Sequence, residues 1–314
     1  YGEKRTRRVS SLIIHPELNE QIQQQERISC LQQKKVDPKF HYETQRQSDL
    51  WLKVHEQFAP PAGVSALYKS AGKSLLKLIK EDQLTLVSLG CGGGEKDVSV
   101  LKELSLGTKY LPTDLSIPLV RSAANRAKSE GVHVNTLLAF DLLSSTNILN
   151  FVKPHISERN IFTFFGLIPN FHPQDILPTL HPLIEPEDFL LLSANLAPQG
   201  IDEILPQYDN QPTKEWLMEF LNRFGKPKGE IKISPEHSGN LDFISAKFIF
   251  SDTSHLIADE NQFSFEPLEE IDLFTSYRYT VDSMKSTLAA HRIEDAEEFI
   301  SQNAEEGVFL CHTQ

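Results

Sequence analysis

The chain has little of what several function classes require. Its 314 residues include only three cysteines, Cys30, Cys91 and Cys311, too scattered for a disulfide framework or a metal-ligand spacing. Sparse, unpaired cysteine fits the reduced thiols of a cytoplasmic protein. No apolar run approaches the ~18 residues of a membrane span and no signal-peptide core opens the sequence, so no membrane association is expected. Positive charge is also scarce. Lys and Arg total 31 against 43 Asp and Glu, and the net charge of −12 argues against a nucleic-acid surface. The short basic opening, Lys4, Arg5, Arg7 and Arg8, reads as a solvated arm. His155, His172 and His181 are separated by prolines and turns, and His291 and His312 stand alone. With no HExxH or Cys/His cluster, no metal is expected.

Glycine, by contrast, is concentrated in one place. In LTLVSLGCGGGEKD the apolar run from Leu84 to Leu89 reads as a buried strand, and it stops at Gly90. Gly90, Gly92, Gly93 and Gly94 then make a tight turn, and Glu95, Lys96 and Asp97 open a helix. A strand, a glycine turn and a helix opening together suit a nucleotide-like ligand. A dinucleotide fingerprint needs glycine at the first, third and sixth positions, and the sixth position here is Glu95. The pattern is instead Gly90-x-Gly92-x-Gly94, as in S-adenosylmethionine (SAM) methyltransferases. Asp114 ends the next short strand, at the interval of about 20 residues where an acidic group takes ribose hydroxyls. Asp141 follows a further apolar run and is placed to accept from an adenine amino group.

Strand-like runs near 84–89, 109–112, 132–140, 160–165 and 188–194 alternate with helical ones. That alternation predicts an α/β fold with a parallel sheet covered on both faces, Rossmann-like, with ligands outside the carboxyl ends of its strands. Gly90, Asp114, Asp141 and the stretch after Phe165 would all lie there. Residues 16–34 suit a polar helix with Pro16 in its first turn. The segment after it concentrates Phe40, Tyr42, Trp51 and Phe58, which either pack one domain on another or cover the glycine turn with Tyr42 facing the reaction centre. Beyond Pro198 the pattern changes to a proline-broken helix and then to aromatic strands, LDFISAKFIF, FSFEP and LFTSYRYT. A final helix and two strands close the chain. The expected division is a methyltransferase domain over 60–196 plus 281–314 and an α+β substrate-binding domain over 1–59 plus 197–280.

Several segments, in order, resemble the histidine-specific SAM-dependent methyltransferase family, which includes the histidine Nα-methyltransferase of ergothioneine biosynthesis. They are PKFHYETQRQSDLW, LVSLGCGGGEKD, YLPTDLS, FFGLIPNFHP, DFLLLSANLAP, QYDNQ before a helix, and SYRYT. The resemblance implies a class I SAM-methyltransferase sheet with SAM as cofactor and an amino-acid-like small molecule as substrate. It implies SAM contacts from Gly90, Gly92, Lys96, Asp114 and Asp141. It also implies that Asn170 and Tyr208 hold the amine and carboxylate of the substrate and that Tyr42 lies beside the transferred methyl.

Departures from the family pattern bear on the substrate. The family grips imidazole with a glutamate two residues before a serine. Here the run is Phe274-Thr275-Ser276, so Ser276 is kept and the carboxylate position is Phe274. An imidazole N–H buried against phenylalanine lacks a charge-assisted partner, at a cost of ~1.5–3 kcal/mol. Phe243 is placed at another apolar pocket position, and a family tyrosine pair is replaced by Phe58 and Ala59. The expected activity is N-methylation of the α-amine of an amino acid or derivative with a larger or less polar side chain than histidine. The alternatives are a catalytically inactive SAM-binding partner or sensor, a methyltransferase acting on protein or RNA, and an NAD-dependent oxidoreductase.

Overall fold

The computed structural model describes residues 10–58, 63–79, 83–104 and 107–313. The basic opening stretch and Ala59 lie outside these segments. In chain order, β1 (Ser11–Ile14), α1 (Glu20–Gln33), α2 (Gln45–Phe58) and α3 (Gly63–Leu78) precede the glycine turn. Then follow β2 (Thr85–Leu89), α4 (Glu95–Leu101), β3 (Lys109–Asp114), α5 (Ile117–Ser129), β4 (Thr136–Ala139), α6 (Ile148–Val152), β5 (Asn160–Phe165), α7 (Pro173–Leu180) and β6 (Phe189–Asn195). After β6 come α8 (Ile201–Ile204), α9 (Gln211–Asn222), β7 (Gly229–Ser238), β8 (Leu241–Phe250), β9 (Ser254–Ala258), β10 (Asn261–Phe265) and β11 (Glu270–Arg278). The chain ends with α10 (Val281–Ala290), β12 (Ile293–Ile300) and β13 (Glu306–Thr313).

Eight strands form one sheet in the order β1-β4-β3-β2-β5-β6-β13-β12. The first six are mutually parallel, while β13 runs antiparallel to β6 and β12 antiparallel to β13. Side chains along each strand alternate between its faces. Val87, Leu111, Phe162, Leu190 and Phe309 pack into one core, and their neighbours Leu86, Tyr110, Ile161, Leu191 and Leu310 pack into another. Burial on both faces explains why these strands read as unbroken apolar runs. The chain leaves β2 toward β3 and β4 on one side and later returns to β5 on the other. This reversal opens a crevice at the carboxyl ends of β2 and β5, the place where open α/β sheets hold ligands.

A third core joins α1, α9 and the antiparallel sheet β11-β8-β7, with Leu31, Phe40, Trp216, Phe220, Ile244 and Phe248 at its centre. Three local expectations need correction. The first helix starts at Glu20, because the Asn19 side chain accepts from the Ile22 N–H at 3.1 Å and caps it there. The strand expected over 132–140 is confined to Thr136–Ala139. Ser11–Ile14, grouped from sequence with the substrate unit, pairs instead with β4 at the edge of the large sheet.

Candidate active site

A cavity of about 290 Å³ lies between the carboxyl ends of the parallel strands and the wall formed by α2, α9 and β11. The glycine turn is its floor. Gly90, Gly92 and Gly94 all have positive φ, a region that L side chains rarely enter. Space is short as well: a Cβ on Gly90 would sit 1.9 Å from Leu167 Cδ1, and one on Gly94 2.8 Å from the Ala123 backbone. Backbone N–H groups of Gly90 and Cys91 donate to Thr113 O at 3.0 and 2.9 Å, which ties the turn to β3.

Asp114 at the end of β3 is 9% exposed and accepts the Gly92 N–H at 3.0 Å and the Ser116 N–H at 2.9 Å. Burial pushes its carboxyl up to about 6, against the pull of those backbone donors. Asp97 lies beneath the turn and accepts from Ser88 Oγ at 2.7 Å, Tyr110 Oη at 2.8 Å and Thr163 Oγ1 at 2.6 Å. It braces β2, β3 and β5 together below the ligand crevice. Sequence reasoning saw in Asp97 only a helix opening.

Lys96 and Asp141 line the same cavity, and each already has a partner. The Lys96 ammonium meets Glu306 Oε1 at 2.6 Å and lies 5.2 Å from the centre of the Tyr68 ring. Tyr68 Oη donates to the same Glu306 carboxylate. Asp141 Oδ2 is 2.8 Å from Lys39 Nζ, which also meets Glu26 at 2.9 Å. Burial raises the Asp141 carboxyl, but the Lys39 charge and the hydrogen bonds of Lys39, Ser144 and the Leu143 N–H outweigh it and hold it below its usual range. Lys39 was missed from the sequence, where it is one more polar residue in PKFHYET. Breaking a buried pair leaves an uncompensated charge, so Lys39→Met should lower unfolding stability by roughly 3 kcal/mol. Thermal denaturation followed by circular dichroism reads this, and an unchanged midpoint would remove Lys39 from the structural role.

On the opposite side, Tyr42 and Asn170 line the cavity together. The Tyr42 ring meets Trp51 edge-on with centroids 5.7 Å apart and lies 5.4 Å from Trp216. Burial, then the Asp114 charge, push the Tyr42 hydroxyl well above its ordinary value, so it stays protonated. Tyr208 Oη is 3.3 Å from Ser276 Oγ. Phe274, 8% exposed, lies 5.6 Å from Trp216 and 6.4 Å from Tyr208 between ring centres. Thr213 Oγ1 is buried in this wall with no hydrogen-bond partner among the described residues.

The cavity therefore collects Tyr42, Gly90, Gly92, Gly94, Lys96, Asp114, Asp141, Asn170, Tyr208, Phe274 and Ser276. Phe243 lies outside its lining: it is paired with Tyr277, on the face of the small sheet opposite to Phe274 and Ser276. Trp216 and Thr213 belong to the wall although no sequence motif marked them. Their only signal was the capped helix after QYDNQ, whose Asn210 side chain accepts from the Thr213 N–H at 3.0 Å.

Residues 23–313 match the family described as histidine-specific methyltransferase, SAM-dependent. The chain belongs to this family. It is thus a SAM-dependent methyltransferase, built on a mostly parallel α/β sheet. Solved structures similar to this methyltransferase include the PH0226 protein from Pyrococcus horikoshii OT3, at 16% identity and a TM-score of 0.44, covering 77% of this chain and 87% of that one. Another is the Burkholderia thailandensis 1,6-didemethyltoxoflavin-N1-methyltransferase with bound 1,6-didemethyltoxoflavin and S-adenosylhomocysteine, at 11% identity and a TM-score of 0.43, covering 79% and 78%. A SAM-dependent methyltransferase from Clostridium acetobutylicum ATCC 824 is similar at 12% identity and a TM-score of 0.41, covering 78% and 92%. No curated protein matches the chain. The residues present fit SAM. The turn at Gly90 leaves no room for a side chain, and a buried carboxylate at Asp114 keeps acceptor capacity beyond its two backbone donors. Among the described residues no helix is long and apolar enough to cross a membrane.

Proposed function

We propose that this methyltransferase acts on the α-amine of an amino acid or amino-acid derivative whose side chain is larger or less polar than imidazole. One observation carries the reading: Tyr42 and Asn170 line the same cavity as the Gly92–Asp114 contact, with Trp216 and Phe274 in its wall. Bound SAM would supply a methyl group on a positively charged sulfur, and an α-amine that has first lost its proton to water would take that methyl in line as the carbon–sulfur bond breaks to leave a neutral thioether. In this reading Gly90, Gly92 and Gly94 let the backbone approach the cofactor, Asp114 takes the ribose hydroxyls, and Lys96 and Asp141 bound its two ends.

A neutral leaving group needs no general acid, so the protein's part is positioning and exclusion of water. Asn170 holds the amino-acid end with Tyr208, and the protonated Tyr42 hydroxyl orients the amine without taking its proton. The aromatic faces of Tyr42, Trp51 and Trp216 also favour a cationic centre beside them. Phe274 and Trp216 receive the side chain, with the unpartnered Thr213 hydroxyl as their polar contribution. Helices α1 and α2, with residues 197–280, form the substrate-binding unit. The absence of a carboxylate at Phe274 favours one second reading, a protein that binds SAM without turnover.

Mass spectrometry separates the two after incubation with SAM and the twenty amino acids with their common derivatives. Gains of one, two or three methyls on an α-amine support the enzyme, and SAM binding with no gain in any mixture overturns it. Asn170→Ala should raise KM for the methylated amino acid by at least about tenfold, the loss of one hydrogen bond to a charged group. Unchanged kinetics would remove Asn170 from substrate binding.

A further inference from the structure

Arg278 is the last residue of β11, on the same face of the strand as Phe274 and Ser276, and is 4% exposed. Buried guanidinium groups are ordinarily paired, because removing a charge from water is costly. Among the described residues no carboxylate lies within 4.0 Å of it. Glu305, whose charge reaches Arg278, is engaged by Gln207 Nε2 at 3.1 Å. Arg278 Nη1 donates instead to Tyr277 O at 2.9 Å and to Ser276 Oγ at 3.1 Å, and its Cζ lies 5.0 Å from the centre of the Tyr208 ring. Burial lowers its pKa to about 9, which leaves it charged at neutral pH.

A guanidinium only donates, so Ser276 Oγ accepts from Arg278 at 3.1 Å, and its hydroxyl lies 3.3 Å from Tyr208 Oη, a contact in which either oxygen can donate. The arrangement in which Ser276 donates to Tyr208 leaves the phenolic proton of Tyr208 for the cavity that both residues line. Resting on the reading above, we propose that Arg278 is a positioning residue that polarises Ser276 and Tyr208 to select a substrate bearing an anionic α-carboxylate. The relay carries a cation's influence into the pocket without exposing the cation. It holds the anion at the amino-acid end and leaves the side-chain wall apolar.

The test uses the full chain at saturating S-adenosylhomocysteine and titrates L-phenylalanine, L-tyrosine and L-tryptophan, each as the free acid and as the α-amide. The wild type should bind at least one acid more tightly than its amide by about tenfold, the range of a hydrogen bond to a charged group. Arg278→Met should bring the two affinities to within about twofold, with the amide's affinity nearly unchanged. Ser276→Ala, which breaks the relay while leaving the guanidinium in place, should do the same and covers the case in which Arg278→Met does not fold. A merely structural Arg278 predicts equal losses for acid and amide, and that result overturns the proposal. If wild-type protein binds acids but either folded variant keeps the acid preference, only the relay falls. If the wild type binds none of the three acids, the relay falls together with the reading that the pocket takes an amino acid with a side chain larger or less polar than imidazole.

Discussion

Asp114→Asn should weaken SAM binding by at least about a hundredfold while leaving the protein folded. The carboxylate stands at the end of β3 with one oxygen on the Gly92 N–H and the other on the Ser116 N–H. It therefore shapes the glycine turn and offers its remaining lone pairs to the cavity. An amide of the same size replaces one acceptor oxygen by an NH2 that faces a backbone donor. One of the two N–H groups then loses its partner, at about 1–3 kcal/mol, and the ribose hydroxyls lose a charged acceptor worth a further ~1.5–3 kcal/mol. Isothermal titration with SAM and with S-adenosylhomocysteine reads the loss. Wild-type affinity in the variant would remove Asp114 from the site and leave the glycine turn without its acidic partner.

The same carboxyl makes binding pH-dependent. Burial raises Asp114 from its model-compound value of 3.8 to about 6 in the folded protein. Between those values the folded chain holds a proton that the unfolded chain has lost, so Asp114's contribution to stability falls as pH rises from about 4 to about 6. On the proposed reading that Asp114 takes the ribose hydroxyls, ligand affinity moves the other way, because those hydroxyls need the ionised acceptor. SAM affinity should therefore climb through pH 6 and level off above it, with close to a tenfold loss per unit below. Asp114→Asn should flatten the profile, and a wild-type profile already flat between pH 5 and pH 7 would sink the assignment.

What could be read from the chain and what could not divides along sequence distance. Gly90, Gly92 and Gly94 were legible because positive φ and a close approach both demand glycine, and the run before them is apolar because β2 is buried on both faces. Asp114 was legible because it follows the next strand at a fixed interval. Asp141 was legible as a position, but its Lys39 partner is 102 residues away and no local pattern encodes that pairing. Trp216 and Thr213 reach the cavity only because α9 packs on the small sheet. Phe243 failed for a register reason. β11 is bulged between Asp272 and Phe274, and the pairing beyond the bulge puts Phe243 opposite Tyr277 and Ile244 opposite Ser276. A shift of one residue exchanges the two faces of a strand, so a sequence alignment across a bulge chooses the wrong face as readily as the right one. β1 has only four residues, too few to show an alternation, and its place beside β4 is decided by the edge that β4 leaves open.

Phe274→Glu should shift selectivity toward histidine by at least about tenfold, measured as kcat/KM for L-histidine over that for L-phenylalanine. The aromatic ring at this position packs among Trp216, Tyr208 and His41 and is almost wholly buried. None of these neighbours offers a carboxylate to an imidazole N–H, and His41 donates its own Nε2 proton to Leu273 O at 2.7 Å. Burial holds His41 down to about 4, so it is neutral and brings no charge to the wall. A glutamate introduced there would place an anion beside the side-chain space, two residues from Ser276 on the same face. Without ligand the buried carboxylate is costly and the midpoint of thermal unfolding should fall. Histidine, by supplying the N–H, should recover part of that loss, so its stabilising effect should be larger in the variant than in the wild type. Phe274→Gln separates charge from hydrogen bonding, since it keeps an acceptor of the same reach and should gain less. If neither variant changes the histidine ratio while both lose activity toward L-phenylalanine, then Phe274 fills space in the wall and the choice of side chain is made elsewhere.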